Sequence, residues 1–332
     1  MDIREHILEL AKKVKGKVIL PESFDTRVLK AAEMLTKNGI ASVVIPADNI
    51  DDVKKTADSA GIDLNGIEVI NIDQALLDNK KVSDFVIART KKGLSEHDAL
   101  ALLKKPLYFS MMYLKSEKCD ACVAGAVYDT ADVLKASLHV IGVAEGINVI
   151  SSYFLMIPPA NHIIKDPVMF TDCGVNPDPQ ALGLKDIAVS TVENFKKIFP
   201  GKTANVAMLS FSTKGSASNK VLDKVLEATK LTQEYFKGQC DVNVDGELQF
   251  DASVVPTVGE RKAPGSAVAG KANILVFPDL NAGNIGYKIA ERFGGFQSLG
   301  PIIQGLSLSV SDLSRGASAE DIYLISAIML LK

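Results

Sequence analysis

Histidine and cysteine are scarce, at four residues each, and their placement excludes most metal and thiol chemistry. His6, His97, His139 and His162 fall on helical or loop stretches without metal-ligand spacing, so no structural or catalytic metal is expected. Cys119 and Cys122 stand two residues apart, but no second pair completes a zinc site. Cys122 runs straight into Val123-Ala124-Gly125-Ala126-Val127, where a free thiol packs as a small hydrophobe. Charge of one sign is also missing. The net charge is −3, and no block of five or six basic residues occurs, so nucleic acid and anionic membrane are not expected partners. No apolar run reaches the roughly 18 residues of a bilayer span. The start, Met1 to His6, carries acids and leads into no signal-peptide core, which gives the expectation of a cytoplasmic protein. Three nucleotide and hydrolase signatures are absent too: a Walker loop, a G-x-G-x-x-G turn at the first strand, and a G-x-S-x-G elbow.

What the chain has is apolar material and alternation. Hydrophobic residues make up 47% of 332 residues, enough for about two domains. Ile3, Ile7, Leu10 and Val14 recur at helical spacing. Lys17–Leu20 reads as a strand stopped by Pro21, a second helix carries Val28, Leu29, Ala32 and Leu35, and Ala41–Ile45 is the next strand. The pattern continues through Val69-Ile70 and Ala121–Ala124. Further strands are expected at Asn148–Phe154, Val168–Thr171, Val206–Leu209 and Ile274–Phe277, with helices around Gln180–Ile198, Ser218–Leu231 and Asn284–Phe293. A last, largely buried helix is expected over Ala319–Leu331. Apolar strands alternating with helices predict an α/β fold with parallel sheets covered on both faces.

Ligands of such sheets sit at the carboxyl ends of strands, which singles out four loops. Gly125–Asp132 leads from a strand into a helix whose free N–H groups suit a phosphate, although Asp129 is unfavourable there and a plain cap by Thr130 or Asp132 explains the same residues. Ser210–Ser218, with Ser212, Thr213 and Lys214, has a phosphate-binding composition and equally that of a solvated helix start. Phe277–Asn284 offers Asn281 and Asn284 as donors, or a simple tight turn. Asp312–Asp321 gathers serine, arginine and carboxylate; Arg315 suits phosphate oxygens, while Ser318-x-x-Asp321 reads as a capping box.

These segments together resemble the phosphate acetyltransferase family, almost from end to end. The resemblance is carried by Leu20–Arg27, Val175–Pro179, Met208–Thr213 and Lys262–Ser266, and most specifically by Phe277–Gly286 and Asp312–Gly316. It implies a two-domain, doubly wound α/β sandwich related to isocitrate and isopropylmalate dehydrogenases, with the active site in the interdomain cleft. The expected domains are 1–147 with 300–332, and 148–299. It implies a homodimer and the reversible reaction of acetyl-CoA with phosphate to give acetyl phosphate and coenzyme A. Coenzyme A is then a substrate, and no bound cofactor is needed. The thiolate attacks directly in a ternary complex, with Asp321 in the position of the family's base, Ser314 orienting the reacting groups, and Arg315 and Arg89 on the phosphoryl group or coenzyme A. Lys135 takes the place of an active-site arginine. Thr130, Ser212, Thr213, Asn281 and Asn284 complete the expected substrate contacts.

The chain departs from the family pattern around the phosphate. Tyr128 and Asp129 stand where the family has histidine and serine, Lys135 loses the bidentate fork of arginine, and Leu308–Ser311 and Ala317 replace other family residues. These changes leave open a propionyl- or butyryl-specific enzyme and a non-catalytic binder of coenzyme A or acyl phosphate. A dehydrogenase of the related fold is disfavoured, because no paired metal-binding aspartates occur on a helix.

Overall fold

The computed structural model describes residues 2–77 and 81–331. Its strands are β1 (Lys17–Ile19), β2 (Ser42–Ala47), β3 (Ile67–Asn71), β4 (Ala121–Val123), β5 (Ser151–Ile157), β6 (Val168–Thr171), β7 (Ala204–Leu209), β8 (Val242–Leu248), β9 (Ile274–Val276), β10 (Gln297–Gln304) and β11 (Ser309–Ser311). Contacts divide the chain into two units, residues 1–144 with 306–332, and residues 145–305.

The first unit is built on an all-parallel sheet in the order β11-β4-β1-β2-β3. Val18, Ile19, Val43, Val44, Ile45 and Cys122 are buried on it, as expected of strands covered on both faces. The helix Thr26–Lys37 starts at Asp25, whose side chain accepts from the N–H of Arg27 at 2.8 Å. The helix Ala319–Met329 is buried from Ile322 onward and packs on the helices Ile3–Val14 and Thr26–Lys37 and on β4. The chain adds β2 and β3 on one side of β1, then places β4 and β11 on the other. That reversal opens a crevice beyond the carboxyl ends of β1 and β4, where open α/β sheets take their ligands.

The second unit is a six-stranded sheet in the order β10-β5-β6-β9-β7-β8. Its β6, β9, β7 and β8 are parallel, while β10 with β5 and β5 with β6 are antiparallel. The expectation of parallel strands therefore holds for the first sheet and for four strands of the second. The strands β8, β10 and β11 were not legible in the pattern. β8 carries Asp245, Gly246 and Glu247 in its apolar run, β10 contains Pro301, and β11 is only three residues long. Short or interrupted runs leave little periodicity to detect. The helix expected from Asn284 begins four residues earlier, at Leu280, because Asp279 caps it by accepting from Ala282 N–H at 3.0 Å.

The same unit contains an apolar cavity of about 610 Å³, lined by His162, Ile164, Phe170, Phe250, Phe277 and Phe296 among others. Beside it, the helix Leu280–Arg292 and the residue following it expose Ile285, Ile289 and Phe293, the last 91% accessible. Spacing of four places the three side chains on one helix face.

Candidate active site

The crevice at β1 and β4 is organised by a buried carboxylate. Glu22, in the turn after β1, is inaccessible to solvent. It accepts hydrogen bonds from four successive N–H groups of the loop after β4: Gly125 at 3.1 Å, Ala126 at 3.1 Å, Val127 at 2.7 Å and Tyr128 at 3.0 Å. The nest that the sequence offers to a phosphate is thus filled from within the protein. Glu22 belongs to the Leu20–Arg27 motif, but nothing local in that motif signals a partner 103 residues away.

Two loops of the second unit are built in the same way. Glu247, 3% accessible, accepts from Ser212 Oγ at 2.9 Å and Gly215 N–H at 2.7 Å, while Lys214 pairs with Asp245. Ser212 and Thr213 are both buried, and Thr213 Oγ1 donates to Gln249 at 3.3 Å. Asp172 accepts from the backbone N–H groups of Gly174, Val175 and Asn176 at 3.0, 3.2 and 2.9 Å, which shapes the Val175–Pro179 motif. In the adjoining helix a Cβ at Gly283 would lie 2.3 Å from the Asp172 carbonyl oxygen, so this glycine permits close packing of helix on loop. Asn284 Nδ2 donates to Cys173 O at 3.1 Å; Asn281 is exposed in the first turn of the same helix.

The remaining expected site residues lie in the first unit. Arg89 is on the helix Lys81–Thr90 and is 9% accessible. Its guanidinium stands over the Phe85 ring, 5.7 Å from the centroid, and its Nε has no hydrogen-bond partner among the described residues. Phe85 packs edge-on against Tyr108, whose hydroxyl is 3.0 Å from His139 Nδ1. His139 and Lys135 are on the helix Thr130–Val140. Burial lowers the His139 pKa, and the positive charges of Arg89, Lys135 and Lys92 lower it further. Arg89, Lys135 and Lys92 therefore form a cationic group beside His139, whose own charge they disfavour, and a buried guanidinium with an unused N–H is suited to a bound anion.

At the start of that helix the loops after β4 and β11 meet. Thr130 Oγ1 donates to Asp312 Oδ2 at 2.5 Å. Arg315 pairs with Asp129, both well exposed, so the acid that looked unfavourable beside a phosphate is partly neutralised. Arg27 ties the loops together, donating to the carbonyls of Ala126 at 2.9 Å, Arg315 at 2.8 Å and Ala317 at 2.9 Å. Ser314 is exposed between Asp312 and Arg315. Asp321 forms the capping box: its Oδ2 accepts from Ser318 N–H at 2.9 Å and Ser318 Oγ at 2.8 Å, and its own N–H donates to Ser318 Oγ at 3.1 Å.

Asp312 is inaccessible to solvent. Burial pushes its pKa up to about 6; the Thr130 hydrogen bond opposes the rise and the nearby Glu22 charge adds to it. Its second oxygen, Oδ1, has no hydrogen-bond partner among the described residues and lies where a Cβ of residue 125 would come within 2.2 Å. Gly125 also has φ +107°, so only glycine serves there. Tyr128, half-buried in the same loop, has its phenol pushed up to about 12, chiefly by burial.

A family model described as phosphate acetyl/butaryl transferase matches residues 2–330. The phosphate acetyltransferase of Thermoanaerobacterium thermosaccharolyticum is 42% identical over 323 residues, covering 97% of this chain and 96% of that one. The crystal structure of a phosphotransacetylase from Streptococcus pyogenes superposes with a TM-score of 0.89 at 40% identity, covering 99% of both chains. A 4-hydroxythreonine-4-phosphate dehydrogenase from Klebsiella pneumoniae, 11% identical, covers 96% of this chain and 100% of that one with a TM-score of 0.53. At that identity the likeness is one of fold alone.

Proposed function

This chain belongs to the phosphate acetyl/butaryl transferase family, and we propose that it transfers an acetyl group reversibly between coenzyme A and inorganic phosphate. The observation that carries the reading into this molecule is the cationic group around Arg89. A buried guanidinium with an unused N–H faces the same helix as Lys135 and Thr130. The phosphoryl group lies against Arg89 and Lys135, where fixed positive charge stabilises the developing phosphate in a site of low dielectric. Arg315 is a further cation, shared with Asp129.

The thiol of coenzyme A must lose its proton to become a good nucleophile. Asp321 takes it. Ser318 fixes the carboxylate through Oδ2, and the cap holds the proposed base in place. A positioned base of this kind contributes about 10²–10⁴-fold. Ser314 orients the reacting carbonyl and thiol, and the thiolate attacks the acyl carbon directly. Ser212, Thr213, Asn281 and Asn284 act on the coenzyme: Asn281 as a direct contact, and the other three through the backbone they hold. Coenzyme A enters as substrate, the enzyme works in the cytoplasm as a homodimer, and no resident cofactor takes part.

The test is release of free coenzyme A from acetyl-CoA with and without inorganic phosphate, trapping acyl phosphate as the hydroxamate. Phosphate-dependent release with hydroxamate formation is expected. Release from propionyl- or butyryl-CoA only would reassign the acyl group. Binding of coenzyme A without turnover on any of the three donors would leave a non-catalytic binder and overturn the reading.

A further inference from the structure

Asp312 is a fully buried carboxylate two residues before Ser314 and hydrogen-bonded to Thr130, and the acetyl transfer just described gives it no task. Its side-chain partner among the described residues is Thr130 Oγ1, at 2.5 Å. Thr130 is exposed at the first residue of its helix, on the same helix as Lys135. The pair thus runs from solvent-exposed hydroxyl to buried carboxylate at the helix that carries the proposed phosphate ligand. Burying a carboxylate is costly unless it is paired or fully hydrogen-bonded. Here Oδ1 is left with no well-aligned hydrogen-bond partner among the described residues, the Leu313 N–H only partly offsets the burial, and a second buried carboxylate, Glu22, is close enough to disfavour its ionised form. A purely structural role is served better by an asparagine, which carries no charge. An acid at such a site points to a function for its proton.

We propose that Asp312, acting through Thr130, is the proton donor and acceptor for the phosphate, while Asp321 serves the thiol. The inference rests on the acetyl transfer proposed above. In the direction that consumes acetyl phosphate, the sulfur–carbon bond forms and the carbon–oxygen bond to phosphate breaks. The thiol proton goes to Asp321. The leaving phosphate oxygen takes the Thr130 hydroxyl proton as Asp312 replaces it from Oδ2. Asp321 then gives its proton to solvent and the buried Asp312 regains one through the exposed Thr130, so that one proton is lost by the thiol and one gained by phosphate. In the reverse direction monoprotonated phosphate gives its proton to Thr130 as Thr130 passes one to Asp312. The environments of the two acids differ accordingly. Asp312 is buried, with its pKa pushed up to about 6, which suits a group that must hold a proton part of the time near neutral pH. In this scheme Thr130 touches the phosphate and Asp312 is a positioning residue that supplies the proton.

The experiment uses the full-length enzyme with acetyl-CoA and inorganic phosphate, measuring kcat and KM for phosphate together with melting temperature. Asp312→Asn is expected to lower kcat by about 10²-fold while KM for phosphate changes less than about threefold. Thr130→Val, which keeps the shape and removes the hydroxyl, should match that loss, and Thr130→Ser should recover most of it. The double variant Asp312→Asn with Thr130→Val should be no slower than either single one, since both interrupt one relay. Independent, multiplying losses would overturn the proposal. So would a Thr130→Val enzyme as fast as wild type, or an Asp312→Asn enzyme that keeps its turnover. Should Asp312→Asn fail to fold, the exposed Thr130 pair decides: equal rates for valine and serine would sink the relay. A wild-type chain without phosphate-dependent release would instead remove the acetyl transfer itself, and the relay with it.

Discussion

At the scale of single residues the site is governed by where carboxylates are buried. Asp312 makes a prediction about stability separate from its proposed role. Its pKa is raised from 3.8 to about 6, so the fold favours the neutral form. Its contribution is fully present below about pH 3.8 and is lost as pH rises through 6. At pH 8 the ionised group costs up to about 3 kcal/mol, from a shift of about two units at 1.36 kcal/mol each. The charged and polar groups around it are Thr130 and the Leu313 N–H, which oppose the rise, and Glu22, which adds to it; the Asp129–Arg315 pair is at the surface. Asp312→Asn should therefore melt at a higher temperature than wild type at pH 8 and at the same temperature near pH 4. Thermal melts across that range check it, and a difference constant with pH would contradict the assignment. A variant that gains stability while losing turnover is the trade-off expected of a strained functional group.

At the scale of elements, one acid of the final helix forms the cap and is also the proposed base. Ser318 and Asp321 form both halves of a capping box, as the Ser-x-x-Asp spacing predicts. Ser318→Ala should cost about 1 kcal/mol of stability, the usual loss for a helix cap, and slow turnover only modestly. Asp321→Asn keeps an acceptor for Ser318 and should melt within a few degrees of wild type, yet lose about 10²–10⁴-fold in turnover. Melting temperature and kcat measured on both variants separate the roles. If Asp321→Asn loses activity only in proportion to folded protein, the acid is a cap and nothing more. The helix Thr26–Lys37 offers an independent check of element electrostatics. Glu33 is held down to about 2 by Lys30 first and then Lys37, against the effect of burial, with a further hydrogen bond from Asp63 N–H. Its stabilisation is present above about pH 4.5 and disappears as pH falls through 2. The melting difference between wild type and Glu33→Gln should follow that course.

At the scale of the molecule, the apolar stripe Ile285, Ile289 and Phe293 beside a 610 Å³ apolar cavity supports the proposed homodimer. Exposed apolar patches of this kind mark interaction surfaces more often than free surface. Sedimentation at micromolar concentration should give twice the chain mass. Phe293→Asp should shift the protein toward the monomer by placing an uncompensated charge in the patch. An unchanged dimer would place the interface elsewhere.

Much of this protein was legible in residue order alone. Strands with continuous apolar runs, such as Ala41–Ile45 and Val168–Thr171, could be read because burial on both faces leaves its mark on every residue. The Ser318–Asp321 cap was legible because its partners are three residues apart. The resemblance of Phe277–Gly286 and Asp312–Gly316 to one enzyme family was legible for the same reason, since the motifs are contiguous. What depends on distant parts of the chain was not legible. Glu22 lies about a hundred residues before the loop whose N–H groups it satisfies, and Thr130 lies 182 residues before Asp312. Local pattern cannot reveal which backbone donors a distant carboxylate will claim, nor which aspartate will be driven out of water and hold its proton. Those outcomes depend on the low dielectric and close approach that exist only once β1, β4 and β11 lie side by side. Fold class and family were carried by contiguous residues; which carboxylates are buried, and against which partners, was set only by the packing of distant segments.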